Sequence, residues 1–172
     1  MGDSIELQEQ VTALTGVLDE QIKVYRHLLE VVRKEKDILV SANLDELNEN
    51  NRTKEAMLIK IRALEVERVR IAQHVSAELG LQGEAPRLID IANYLSDESG
   101  EKLRSIHSVL ELLLKRVQEY NRQNEILVQS ALNNITGAMN AIKGSLESKA
   151  TYQKKGEVEG HTASGNLVSR QA

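Results

Sequence analysis

The sequence predicts an all-α fold, an antiparallel bundle of three long helices with a short connecting helix and a flexible C-terminal tail. Three observations predict it. The 172 residues include no Phe, Trp or Cys and a single Pro, while 28% are charged, which is the profile of long helices packed along narrow seams. Apolar residues recur in alternating steps of four and three along most of the chain, the spacing that stacks side chains on one helix face. The cluster of helix-stopping residues from Gly80 through Gly83 to Pro86 separates the first two long segments from the last.

The first helix is expected from Asp3, which can form a capping box with Glu6, to near Ala42. Its seam is Leu7, Val11, Leu14, Leu18, Tyr25, Leu28, Val32 and Leu39, interrupted only by Gln21 and Glu35. Asn43 with Glu46 reads as the cap of a second helix over Leu44–Leu79. So short a turn makes the two helices antiparallel neighbours. The second seam runs through Met57, Ile61, Leu64, Ile71, Val75 and Leu79, but its first half falls on the polar Asn50 and Lys54.

Pro86 suits the first turn of a short helix ending near Leu95, with Leu88, Ile91 and Leu95 facing inward. After a break over Ser96–Gly100, a third long helix from Glu101 to Leu146 carries Leu103, Ile106, Leu110, Leu113, Val117, Tyr120, Asn124 and Leu127 in unbroken four-three order. The helical bundle domain is thus expected over 1–146 and the flexible tail, with Gly156, Gly160 and Gly165 and no regular apolar period, over 147–172.

From Ile126 to Ile142 there is no Asp, Glu, Lys or Arg. Here the apolar stripe shifts one residue out of step, to Val128, Leu132, Ile135, Met139, Ile142 and Leu146, which turns the apolar face by about 100°. Asn133, Asn134, Thr136 and Asn140 cover the rest. A solvent-facing helix normally carries Lys and Glu, so an apolar stripe with an amide rim reads as a surface that binds and releases a partner. In an up-down-up bundle this half of the last helix falls beside the polar stretch Asn48–Glu55 of the second, where apolar cover is least. Burying the stripe would contribute a gross 9 to 18 kcal/mol, roughly. After association costs that leaves micromolar to nanomolar affinity within reach. Ordinary core packing or a homodimer seam are the other uses of such a stripe, as polar interruption of a seam is for Asn121 and Asn124.

Other classes lose ground on composition. The net charge of −4 and interleaved acidic and basic residues give no basic stripe for nucleic acid. No apolar run reaches membrane-spanning length, and the acidic, polar start is unlike a signal peptide, so a cytoplasmic protein is expected. A helical di-iron site needs Glu three residues before His, yet His27, His74, His107 and His161 are preceded there by Val24, Ile71, Arg104 and Val158. No catalytic, cofactor or metal-binding constellation is recognisable, which points to a protein that is not an enzyme.

The segment Tyr120-Asn-Arg-Gln-Asn-Glu-Ile-Leu127 resembles the Asn-x-x-Asn-x-x-Leu element of the FlgN-type flagellar export chaperones, matched by Asn121, Asn124 and Leu127. Leu39-Val-Ser-Ala-Asn-Leu-Asp-Glu-Leu47, followed by Lys54 and Glu55, is similar to that family's apolar, Asp/Asn-Leu-x-x-Leu, then Glu/Lys-rich turn in the first helical pair, and Thr151-Tyr152-Gln-Lys-Lys-Gly156 to its Tyr-x-x-x-Gly tail. The likeness spans nearly the whole chain. It implies a cytosolic chaperone that binds the terminal helical segments of hook-filament junction (hook-associated) proteins, prevents premature assembly and delivers them to the flagellar type III export gate. It assigns cargo binding to Asn121, Asn124, Leu127, Val128, Leu132, Ile135, Met139 and Ile142, and docking on the cytoplasmic domain of the gate to Tyr152. The alternative is a structural coiled-coil module that homodimerises through the last helix.

Overall fold

A computed structural model describes the backbone of residues 2–81, 87–95 and 97–156, and the side chains of 5–81, 87–95 and 97–146. The elements are α1 (Gly2–Ser41), α2 (Leu44–Glu78), α3 (Leu88–Tyr94) and α4 (Glu98–Gly156), with no strand among the described residues. Two compact units divide the chain, Met1–Val128 and Gln129–Ala172. None of the described helices is long and apolar enough to cross a membrane.

In the first unit, side-chain pairs fix the directions of the helices. Between α1 and α2, Gln21 meets Glu65, Glu35 meets Lys54 and Lys34 meets Glu46, so one number rises as the other falls. Between α1 and α4, Asp19 meets Lys102, the Arg33 guanidinium lies over the Tyr120 ring and Glu35 meets Asn124, so both numbers rise together. Thus α2 runs against α1 while α4 runs with it.

The core is built from the expected seams. Val11, Leu14, Leu18, Ile71, Val75, Leu88, Ile91, Leu103, Ile106 and Leu113 form one buried cluster, and Leu28, Val32 and Val117 a second. Helix α1 also buries Val24, Val31 and Ile38, a second row at heptad spacing. A helix covered by a neighbour on each flank buries a wider face than a single seam.

Local chemistry sets the helix ends. At the α1–α2 turn Ala42 takes a left-handed φ of 54°, and the Asn43 side chain accepts from the Glu46 backbone N–H at 3.2 Å, as the capping reading expected. Helix α2 ends in a Schellman motif: Gly80 has φ 69°, Leu81 N–H donates to Ser76 O and Gly80 N–H to Ala77 O. Three boundaries differ from expectation. Helix α1 begins at Gly2, which puts Asp3 inside its first turn. Helix α4 begins at Glu98 because Asp97 caps it, its carboxylate accepting from Gly100 N–H at 3.2 Å. Its helical backbone continues past Leu146 to Gly156. The expected role of Pro86, and the tail beyond Gly156, lie outside the described residues.

Gly100 marks a close approach of α3 to α4, since a Cβ there would overlap the Leu95 carbonyl oxygen and lie 2.8 Å from Ala92 O. The clash is with backbone, which cannot swing aside. Gly100→Ala should therefore lower unfolding free energy by about 1–3 kcal/mol in a urea melt.

On the α1–α2 interface, the Arg68 hydrogen bond holds the Glu65 carboxyl below its ordinary 4.5. Partial burial opposes this and the Gln21 amide adds to it. A depressed carboxylate contributes stability above its unfolded pKa, and that contribution is lost as pH falls through the folded value. Glu65→Gln should thus cost stability at neutral pH, by under about 1 kcal/mol because solvent screens the pair. In chemical melts taken below the folded pKa the difference from the parent should vanish.

Candidate functional site

At the level of Glu35 the seams become polar. The Glu35 carboxylate accepts from Lys54 Nζ at 2.7 Å and from Asn124 Nδ2 at 3.1 Å, which joins α1, α2 and α4 through one oxygen atom, Oε2. Asn124 Nδ2 also donates to Val32 O at 2.9 Å, and Asn50 Nδ2 to Val31 O at 3.3 Å. Glu35, Asn50 and Asn124 are all buried. Of the residues that interrupt the apolar seams, Glu35, Lys54 and Asn124 are one another's partners, while Asn50 bonds to backbone. Buried polar groups are tolerated when they pair in this way. The pairing is incomplete, since the Oδ1 atoms of Asn121 and Asn124 are buried and accept no protein hydrogen bond.

Asn124 is the last buried residue of α4 among those whose side chains are described. Leu127 is half-buried, and from Val128 to Leu146 every residue is exposed. The predicted stripe, Val128, Leu132, Ile135, Met139, Ile142 and Leu146, keeps between 41% and 66% of each residue's accessible surface. Its rim is amide and hydroxyl, with Gln129 donating to Asn133 Oδ1 at 3.1 Å along the helix. Gly137 and Gly144 have open space where a Cβ would stand, so nothing there requires glycine for close packing.

The site residues expected from the sequence thus separate into two groups. Val128, Leu132, Ile135, Met139 and Ile142 form an exposed, uncharged, apolar surface. Asn124 is spent on bonds inside the first unit, and Asn121 and Leu127 are half-buried beside it. Tyr152 lies on the last turns of α4, with its side chain outside the described residues. What sequence reasoning missed is the Glu35–Lys54–Asn124 junction. Each of these residues was visible as a polar break in a seam, but their meeting depends on the mutual register of three helices.

Chemically the stripe can offer only burial and a few amide hydrogen bonds. No group of three or more His, Cys, Asp or Glu among the described residues could hold a metal ion.

A family model described as FlgN protein matches residues 1–160. No curated protein and no solved structure matches the chain. With the match covering nearly its whole length, the chain belongs to the FlgN family, that of the flagellar export chaperones.

Proposed function

We propose that this member of the FlgN family binds the terminal helical segments of hook-filament junction proteins in the cytoplasm, prevents their premature assembly and delivers them to the export gate. The observation that carries this reading is the unbroken exposure of the stripe from Val128 to Leu146 in a segment without charges before Lys143. So much apolar surface on a helix is normally covered by a partner. An amphipathic cargo helix is a fitting one, because its apolar face can lie along side chains repeating every three or four residues. Amides on the rim impose no charge requirement on the cargo, and leave binding dependent on shape and apolar burial.

The cargo surface in this reading is Val128, Leu132, Ile135, Met139 and Ile142. Asn121, Asn124 and Leu127 contribute from the bundle side by fixing the helix that presents it. Tyr152 is assigned to docking on the cytoplasmic domain of the gate, from the likeness of Tyr152–Gly156 to the family's tail element.

Leu132→Asp or Ile135→Asp should abolish co-purification of a junction-protein C-terminal segment and leave helicity by circular dichroism unchanged. Retained capture, or collapse of the fold, would contradict the assignment. A tight dimer by native mass spectrometry, dissociated by the same substitutions, would favour the homodimer instead. Tyr152→Ala should spare cargo capture and weaken binding in a titration with the gate's cytoplasmic domain; equal affinity would remove Tyr152 from that role.

A further inference from the structure

We propose that residues 129–146 are in helix–coil equilibrium in the free chain and that cargo binding completes the helix, so that the stripe is assembled on the cargo. The proposal rests on the cargo reading above and concerns how that site is regulated. It starts from the helix face turned away from the stripe. Gly137 stands two residues from Ile135 and from Met139, and Gly144 two residues from Ile142 and from Leu146, a rotation of about 200° in each case. The same outer face carries Ser130, Asn133 and Asn140. All of these are weak helix formers, and glycine is the weakest residue after proline.

Neither packing nor backbone geometry requires them. A Cβ at Gly137 or Gly144 would meet nothing within 4 Å, and neither glycine takes a positive φ. A solvent face is where strong helix formers cost nothing, and the preceding part of α4 uses them, with Glu111, Lys115, Arg116, Glu119 and Arg122 exposed. From Ile126 to Ile142 the ion pairs that support an exposed helix are absent as well, because the segment holds no charge. No side chain from Val128 to Leu146 is buried, and burial of an amphipathic face supplies most of the stability of helices in folded proteins. Helix can propagate from the buried turns of α4 without a new nucleus, but each weak former shortens how far it runs. The helix described at residues 129–146 is the cargo-competent member of this equilibrium. Cargo selects it by burying the stripe, and the apparent affinity is reduced by the fraction of free molecules that hold it. That reduction suits a complex that has to come apart at the gate.

The test uses the full-length chain with a junction-protein C-terminal segment as the probe. Backbone chemical shifts of residues 129–146 should report a partial helical fraction in the free protein and a full one with cargo added. Gly137→Ala and Gly144→Ala leave the stripe untouched, and each should raise the free helical fraction and tighten cargo binding by up to about fivefold. Ala141→Gly, also off the stripe, should do the reverse. A helix already formed in the free chain gives a different result, because a substitution that stabilises free and bound helix alike leaves affinity unchanged. Full helicity in the free parent would therefore overturn the proposal, as would an affinity insensitive to all three substitutions while Leu132→Asp abolishes capture. Capture retained by Leu132→Asp would instead contradict the stripe as the cargo surface, and the free helical fraction would still decide whether the segment is in equilibrium.

Discussion

The bonds made to the Glu35 carboxylate tie α1, α2 and α4 together at one level of the first unit. Leucine and valine seams hold α1, α2 and α4 together and select which faces meet, since the positions beside the α4 seam include Arg104, His107 and Glu111. The contacts of Glu35 with Lys54 and Asn124 add bonds that each have a length and a direction. Such a layer is weak evidence for stability, since desolvating its charges offsets much of their attraction. Its effect is on specificity. It couples one level of α1 to one residue on each of the other two long helices.

The apolar seam of α4 falls into two parts with different fates. Up to Val117 the seam positions are spent on the core, beside Leu28, Val32 and the larger cluster around Leu14, Leu18 and Leu103, while Leu112 and Leu114 stay exposed. From Val128 onward comparable side chains stay exposed. A sequence selected only for a stable bundle would place Lys or Glu over the exposed half, at little cost to the core. The retention of Val, Leu, Ile and Met there, with amides in place of charges, is what the proposed chaperone role accounts for.

Much of this was legible in the sequence. The four-three periodicity located the three long helices and most of the core residues, because helix geometry converts spacing directly into a face. The Asn43–Glu46 cap and the Gly80 stop were legible because the local chemistry of helix ends is specific. The second buried row of Val24, Val31 and Ile38 was not, since a sequence does not say that one helix lies between two others. Nor was the partnership of Glu35, Lys54 and Asn124, or the bond of Asn50 to Val31 O, since these residues read singly as defects and make sense only in three dimensions. The likeness to the export chaperones suggested Asn124 as a cargo contact, whereas its amide is turned inward. The stripe itself was visible through an absence of charge, a signal that needs no tertiary information.

The central claim is that the bundle is complete without cargo and that the stripe is not. Hydrogen–deuterium exchange on the full-length chain, with and without a junction-protein C-terminal segment, tests this directly. The account predicts new protection confined to the backbone around residues 128–146, with amides of the Leu14–Leu103 core already slow in the free protein and unchanged on binding. Protection that appears in the bundle while residues 128–146 exchange as before would contradict it.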